Sequence, residues 1–244
     1  MLNNNNKSSQ NAFSPGNKVN VPKLKQISYK IHIGVTGDDK CGKTSLINTF
    51  ISKSFNDPKQ STIICTQRIT LTIENTPVEC IISELNIAQN QNDQVVKNYI
   101  KNIDVFFLCH EVTENDEKFN EEMIKRYISF ISNLKDNKEY IIYVVGCKLD
   151  QKISELKAKS AFIMDQSMRL TNYGQRVKTF INTNPIKKFY LTSSLLNYNI
   201  HELFEDAILS FGYKEYQKMK SNDQSNTRRS HSNEDDFYEN CYIF

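Results

Sequence analysis

GDDKCGKTS, residues 37–45, is the segment that decides how this sequence of 244 residues is interpreted. It holds two of the chain's seven glycines, and a lysine and a threonine follow the second one. A polyphosphate is bound by several backbone N–H groups that point inward together, so the backbone must adopt unusual dihedrals without obstructing side chains. At this spacing the lysine reaches the terminal phosphates, and the threonine hydroxyl binds Mg²⁺. The segment therefore predicts a phosphate-binding loop, with Lys43 and Thr44 in these two roles.

The residues on either side predict the strand and the helix that such a loop connects. Residues 29–35 are rich in apolar and β-branched side chains, which is typical of a buried strand. Large apolar residues recur at helical spacing after the loop: Leu46, Ile47, Phe50 and Ile51. A helix that begins here adds free N–H groups and the positive end of its dipole to the site. The alternative is a glycine turn that joins a strand to a helix and binds nothing.

Length and composition indicate one sizeable α/β domain with tails. The net charge is only +3 and no long run of Lys or Arg occurs, so the sequence does not predict a nucleic-acid partner. No apolar stretch is long enough to span a bilayer. The six cysteines form no CxxC pair, and Cys65, Cys80 and Cys109 lie in apolar runs. We interpret these cysteines as buried and reduced; disulfides or metal ligation are the alternative.

Composition divides the chain into three parts. Residues 1–27 are rich in Asn, Ser and Lys and predict a disordered N-terminal arm. Residues 28–215 carry the apolar periodicity of a folded domain. Residues 216–244 lack that periodicity and predict a flexible tail.

The folded part predicts alternating strands and helices. After the first strand and helix, a turn at 75–77 joins two strands into a hairpin. We predict these further strands: 63–74, 78–85, 105–109, 140–145 and 188–191. We predict these further helices: 119–134, two pieces within 153–181, and 199–211. Crossover helices between strands predict an α/β fold with a mostly parallel six-stranded sheet, one antiparallel edge strand, and helices on both faces.

From about residue 29 to 211, with the last four residues, the chain resembles the Ras superfamily of small GTPases, and within it the Rab-like branch. The resemblance is carried by five segments in the family's order: GDDKCGKTS, KTSLINTFISKSFNDPKQSTI, DVFFLCHEVTENDEKF, VGCKLD and LTSSLLNYNIHELF. It implies the small G-domain of the P-loop NTPases, which binds GTP or GDP with Mg²⁺.

The resemblance also implies roles for individual residues. Thr44 and Thr62 would hold Mg²⁺, and Thr62 would also reach the γ-phosphate. The Asp150 carboxylate would accept hydrogen bonds from guanine N1 and the exocyclic amine, a donor pair that adenine lacks. The Lys148 stem would pack along the base, and the Ser194 N–H would meet the guanine oxygen. The full set implied for nucleotide binding is Gly37, Asp38, Asp39, Lys40, Cys41, Gly42, Lys43, Thr44, Ser45, Cys147, Lys148, Asp150, Ser193, Ser194 and Leu195.

The chain departs from the family where the family hydrolyses GTP. The family reads Asp-Thr-Ala-Gly-Gln, and this chain reads Asn86-Ile87-Ala88-Gln89-Asn90. Asn86 replaces the acid that holds Mg²⁺ through water, and Gln89 replaces the glycine at the γ-phosphate. Asn90 takes the catalytic position of the glutamine that orients water, one methylene shorter. We therefore expect slow conversion of GTP to GDP and phosphate.

Three further departures lie elsewhere in the resemblance. Asp39 adds a negative charge where a partner's arginine would enter. Cys147 replaces an asparagine of the guanine motif, and Leu195 stands where the family often has lysine.

The sequence Cys241-Tyr242-Ile243-Phe244 matches a C-a-a-X box whose terminal Phe favours geranylgeranylation of the cysteine. A packed hydrophobic end is the alternative. A single lipid anchors weakly without a second signal, and residues 232–240 are acidic with no second cysteine. We therefore expect reversible attachment to the cytoplasmic face of a membrane, with a cytosolic pool.

Two functions of different classes are compatible with these features. The first is a membrane-associated switch in trafficking or signalling that works with effectors, exchange factors and activating factors. The second is a non-cycling pseudo-GTPase that keeps the fold and recruits partners, which the altered segment 86–90 and Cys147 favour. An ATP-using P-loop kinase is disfavoured because nothing resembles a lid and Asp150 follows Lys148 at the guanine spacing.

Overall fold

The computed structural model describes residues 29–55, 64–73, 76–112, 119, 121–136, 138–155, 160–170 and 172–226. Four predictions fall wholly or partly outside the described residues: the disordered arm 1–27, the metal ligand Thr62, the tail beyond residue 226 and the lipidation site Cys241.

The six predicted strands form one sheet. They are β1 (Tyr29–Gly37), β2 (Ile64–Ile73), β3 (Thr76–Leu85), β4 (Val105–Glu111), β5 (Ile141–Cys147) and β6 (Lys188–Leu191). Their order across the sheet is β2-β3-β1-β4-β5-β6. The strands pair in parallel except β2, which is antiparallel to β3 at one edge. The predicted fold class is confirmed.

The hairpin between β2 and β3 is tighter than predicted. Thr76 and Pro77 were assigned to the turn, but they lie in β3 and pair with Ile73 and Thr72. Proline lacks an N–H and is tolerated at the start of a strand, which explains why it does not end the pairing here.

Eight helices are assigned among the described residues: α1 (Lys43–Ser52), α2 (Ile87–Asn90), α3 (Gln94–Lys101), α4 (Glu121–Lys135), α5 (Leu149–Glu155), α6 (Ala161–Leu170), α7 (Asn172–Thr183) and α8 (Ile200–Asn226). Helices α2 and α3 were not predicted, and the region predicted as two helical pieces within 153–181 holds three helices, α5, α6 and α7, the first of which begins at Leu149. The Asp93 carboxylate caps α3 by accepting from the Val95 N–H at 2.7 Å. Helix α8 is longer than the predicted 199–211 and includes residues 216–226, which were assigned to the tail.

Two apolar clusters cover the two faces of the sheet. On one face, α1 and α8 pack against β1, and the rings of Phe50 and Phe204 stack with centroids 3.9 Å apart. On the other face, α3, α4 and α7 pack against β4 and β5. Burying a Phe side chain stabilises a fold by about 2–3 kcal/mol. With both faces covered, the carboxyl ends of the parallel strands form the edge where a ligand can enter.

Among the described residues, no helix is both long enough and apolar enough to cross a membrane.

Candidate functional site

The glycine loop (residues 37–45) connects β1 to α1 in a conformation that depends on its two glycines. Gly37 has φ 140° and Gly42 has φ 108°, both in the region that disfavours side chains. A Cβ on Gly37 would lie 1.8 Å from the carbonyl oxygen of Cys109. That same carbonyl accepts a hydrogen bond from the Asp38 N–H at 3.2 Å. The loop is therefore held against the end of β4, and Gly37 is required for this close approach.

Lys43 lies inside the glycine loop. Its Nζ donates to the carbonyl oxygens of Asp38 at 2.5 Å and Gly37 at 3.4 Å, and the residue is buried. The carbonyls hold the ammonium group at the centre of the loop, at the N-terminus of α1. Asp39 and Lys40, in contrast, are exposed on the outside of the loop. The positive charge and the helix N-terminus together can attract an anion to this point.

Thr44 contacts a carboxylate that the sequence analysis did not identify. Its hydroxyl lies 2.9 Å from Oε1 and 2.7 Å from Oε2 of Glu84, near the end of β3. The sequence did contain a signal for Glu84. It is the next alternate residue of β3 after Cys80 and Ile82, whose side chains pack in the cluster that includes α1. A charged residue at the end of a buried stripe is unusual and marks a candidate site.

The segment Asn86–Asn90 follows β3 directly and contains α2. The side-chain amide of Asn90 donates to the backbone carbonyl of Asn86 at 2.9 Å. Asn86 precedes the first helical residue, but its side chain does not cap α2. The Asn90 amide is thus bonded to its own turn of helix.

Lys148, Asp150 and Ser193 come together at the ends of β5 and β6. Lys148 adopts φ 64° and its Nζ lies 3.0 Å from Oε2 of Glu111, at the end of β4. The Ser193 hydroxyl donates to Oδ1 of Asp150 at 2.5 Å and accepts from the Leu196 N–H at 3.1 Å. The β6–α8 loop (residues 192–199) therefore meets the start of α5. The neighbouring Ser194 is partly buried, while Leu195 is exposed.

Three buried thiols lie in or next to the glycine loop: Cys41 in the loop, Cys109 at the end of β4 and Cys147 at the end of β5. Hydrogen bonding with Cys147, together with burial, raises the pKa of Cys41. Burial also raises the pKa of Cys109. The five described cysteines are free, and Cys65 is only partly buried. Hydrogen bonding with Cys109 raises the pKa of Cys147 as well, so this residue replaces an amide of the guanine motif with a neutral thiol next to Gly42.

The region between Asp150 and Lys188 braces the β6–α8 loop. Asp165 on α6 is nearly fully buried and accepts hydrogen bonds from Tyr198 Oη at 3.1 Å and Asn199 Nδ2 at 3.0 Å. It also pairs with Arg169 at 2.5 Å. Since Ser193 and Tyr198 form a β-bridge, α6 supports the turn that carries Ser193 and Ser194.

The structure gathers the predicted residues at one edge of the sheet. The glycine loop, residues 147–150 and residues 193–195 lie beyond the carboxyl ends of β1, β5 and β6. Thr62 lies outside the described residues, so its part in the site stays a prediction. Glu84, Glu111 and Asp165 are additions to the set.

Comparison with known proteins agrees with this architecture. A profile of the Ras family matches residues 32–211. The chain is 24% identical over 180 residues to the human Rho-related GTP-binding protein RhoD, covering 72% of this chain and 80% of that protein. It is 28% identical over 123 residues to the probable mitochondrial Rho GTPase gemA of Dictyostelium discoideum, covering 49% of this chain. The matched part is only 18% of the length of gemA.

Both of these relatives carry Rho names, whereas the sequence features resembled the Rab-like branch. The profile match covers most of the chain and includes the glycine loop, residues 147–150 and the β6–α8 loop. The sheet order and the single antiparallel strand agree with it. The chain belongs to the Ras family of small GTPases.

Proposed function

We propose that this chain binds GDP and GTP with Mg²⁺ and acts as a guanine-nucleotide switch that hydrolyses GTP slowly. The observation that carries the proposal is the position of Lys43. Its ammonium group is enclosed by loop carbonyls at the N-terminus of α1, which is a site for a phosphate group. A nucleotide phosphate would replace these carbonyl contacts of the ammonium group with a full negative charge.

The guanine preference is supported by the pairing of Asp150 with Ser193. The hydroxyl holds one carboxylate oxygen, so the carboxyl group is oriented before a base arrives. Adenine lacks the N1–H and amine donor pair of guanine, so with adenine the Asp150 carboxylate would gain no hydrogen bonds from the base. This loss disfavours adenine strongly. Lys148 is partly exposed and pairs with Glu111, so its stem can lie along a base plane while its charge stays balanced.

Magnesium fits the donor set at the start of α1. The Thr44 hydroxyl and the Glu84 carboxylate are hard oxygen donors, which Mg²⁺ prefers. The described residues contain no group of three or more His, Cys, Asp or Glu that could hold a metal, so an ion here depends on phosphate oxygens as well. Bound Mg²⁺ would neutralise charge on the β- and γ-phosphates.

Slow hydrolysis is supported by the bond between Asn90 and Asn86. To orient an attacking water, the Asn90 amide would have to leave the carbonyl that it now contacts at 2.9 Å. Its side chain is also one methylene shorter than glutamine, and positional catalysis is sensitive to displacements of about 1 Å.

Regulated contacts with effectors, exchange factors and activating factors follow from a switch function. The segment Asn86–Asn90 directly follows β3, which carries Glu84 beside Thr44. A γ-phosphate at the loop would lie near this segment and could change its conformation. Prenylation of Cys241 is a further part of the proposal, supported by the sequence Cys241-Tyr242-Ile243-Phe244 alone. Mass spectrometry of the C-terminal peptide from native cells would identify both the natural terminus and any lipid.

The nucleotide carried by the purified protein tests the central proposal. The protein is denatured, and the supernatant is separated by HPLC, with Lys43→Ala as the matched control. We expect a guanine nucleotide in wild-type protein and much less in the control. A mainly GTP-bound preparation would agree with slow hydrolysis. A site that is empty in both proteins would overturn nucleotide binding and favour the second candidate, a pseudo-GTPase that recruits partners through the same fold.

A further inference from the structure

The acid that the family uses to hold Mg²⁺ is missing from its expected position, where this chain has Asn86. Another carboxylate, Glu84, contacts the hydroxyl of Thr44. We propose that Glu84 takes over the magnesium-supporting role that Asn86 cannot perform. This inference rests on the proposed function, because it concerns the Mg²⁺ that accompanies the bound nucleotide.

The register of the sheet explains why Glu84 reaches the site. Glu84 pairs with Val35 of β1, two residues before Gly37 begins the glycine loop. Alternate residues of a strand share a face, and Cys80 and Ile82 belong to the cluster that includes α1. Glu84 is the next residue on that face, so its side chain extends toward the first turn of α1.

The contact with Thr44 leaves the hydroxyl oxygen available to a cation. The hydroxyl has one hydrogen, and the two carboxylate oxygens at 2.9 Å and 2.7 Å share it. A hydroxyl that donates toward Glu84 directs its lone pairs elsewhere. Glu84 thus orients the ligand Thr44 and places a negative charge beside the ion, as carboxylates around metal ligands commonly do.

Because Glu84 carries a negative charge, its effect on nucleotide binding should depend on whether Mg²⁺ is present. Glu84 is partly exposed and its side chain contacts the uncharged Thr44 hydroxyl, so a bound Mg²⁺ would supply a cation beside its charge. Without Mg²⁺, the carboxylate would repel the nucleotide phosphates; with Mg²⁺, it would help to hold them. Removing the charge therefore has opposite effects in the two conditions. A residue that only supported the fold would weaken binding equally in both.

The test measures dissociation of a fluorescent GDP analogue from the purified full chain over a range of free Mg²⁺ concentrations, including EDTA. Glu84→Gln keeps the size of the side chain and one oxygen that can accept from Thr44 but removes the charge. The Mg²⁺ midpoint is the free Mg²⁺ concentration at which dissociation of the analogue is slowed half-maximally. We expect Glu84→Gln to raise this midpoint roughly 10–100-fold, the range for partners of metal ligands. In EDTA, we expect the analogue to dissociate from Glu84→Gln no faster than from wild type. Asn86→Ala is the matched control, with an expected midpoint shift below about threefold.

The outcomes separate this inference from the proposed function. Faster dissociation from Glu84→Gln by the same factor with and without Mg²⁺ would overturn the inference, as would a large midpoint shift in Asn86→Ala alone. Wild-type protein that binds no analogue at any Mg²⁺ concentration would overturn the proposed function and, with it, this inference.

A second variant keeps the test decisive if Glu84→Gln does not fold. Glu84→Asp retains the charge but withdraws it by one methylene. We expect its midpoint to lie between those of wild type and a fully weakened site. A midpoint equal to that of wild type, together with wild-type thermal stability, would contradict the requirement for contact with Thr44.

Discussion

The hydroxyl of Ser193 donates a hydrogen bond of 2.5 Å to Oδ1 of Asp150, and this bond joins the end of β6 to the first turn of α5. It orients the carboxylate that we propose to recognise guanine. The bond connects residues that are 43 positions apart, so it depends on the parallel pairing of β5 with β6.

We expect Asp150→Asn to change base preference. An amide can no longer accept two hydrogen bonds from guanine N1 and the exocyclic amine, but it can donate to the C2 oxygen of xanthine. GDP affinity should fall at least about 100-fold, since mismatched buried polar groups discriminate steeply. Competition of GDP and XDP against a fluorescent nucleotide measures the change. Equal GDP affinity in variant and wild type would contradict the role of Asp150.

Loss of Asp165 should loosen nucleotide binding from a distance. Asp165→Ala removes the acceptor for the partly buried Tyr198 and Asn199, at about 1 kcal/mol per hydrogen bond, while the Asn199 amide keeps its bond to the Leu191 carbonyl. The β6–α8 loop should become mobile, and the rate of GDP dissociation should rise about tenfold or more. Gln166→Ala is the control, because Gln166 is an exposed neighbour on the same helix and does not bond to Tyr198 or Asn199. An unchanged dissociation rate in Asp165→Ala would show that α6 does not support the site.

Gly37→Ala should destabilise the fold as well as the loop. The added methyl would lie 1.8 Å from the Cys109 carbonyl at φ 140°, so backbone strain and overpacking should together cost about 3 kcal/mol or more. Gly34→Ala is the matched control on the same strand, because the atoms nearest to its methyl belong to the Ile103 side chain (Cδ1 at 2.6 Å) and not to the backbone. Its loss should be about 1–2 kcal/mol. Denaturant unfolding of both variants checks this order, and the reverse order would contradict it.

Hydrolysis should respond to Asn90→Gln. The longer amide can extend beyond the Asn86 carbonyl and orient water, so the single-turnover rate of GTP hydrolysis should increase several-fold. Asn86 and Gln89 still differ from the family, so we do not expect full family rates. Nucleotide affinity serves as the control, since the hydrogen bond described for the Asn90 side chain is to its own turn of helix. A wild-type rate that already matches ordinary small GTPases would contradict slow hydrolysis.

Stability should fall at mildly acidic pH because of His110. Burial lowers the pKa of His110 to about 4, and its ring lies against Phe119 and Phe189 and contacts Tyr173 Oη at 3.2 Å. Between the folded pKa and the ordinary value of 6.5, the unfolded chain binds a proton that the native state does not. The free energy of unfolding should therefore fall as the pH decreases through this range, by up to about 1.4 kcal/mol per pH unit.

His110→Gln isolates this contribution, because glutamine stays neutral and can still bond to Tyr173. The variant should lose stability less steeply than wild type between pH 6.5 and 4 in urea unfolding. Burial also lowers the pKa of His32, and this residue makes the same contribution to the pH dependence of stability in wild type and in His110→Gln. Parallel stability profiles for wild type and variant would show that His110 is not buried as a neutral group.

Local patterns were sufficient for much of the fold. The apolar run of β1, the glycine spacing and the apolar repeat of α1 lie within 25 residues, and each element was predicted where it occurs. The short helix α3 was missed because it spans eight residues and buries only Val96 and Ile100 fully, which is too brief an apolar pattern to stand out among polar residues. The end of α8 was misplaced because residues 216–226 have little apolar periodicity to mark a helix.

The fold class and the lysine, threonine and aspartate of the candidate site could be predicted from residue spacing, since that spacing reflects the local geometry of a loop or strand end. The carboxylates that support these residues became apparent only in the folded structure. Glu84 reaches Thr44 across 40 residues, and Asp165 reaches Tyr198 across 33. Such contacts depend on strand register and on the packing of helices against the sheet, which no local spacing encodes.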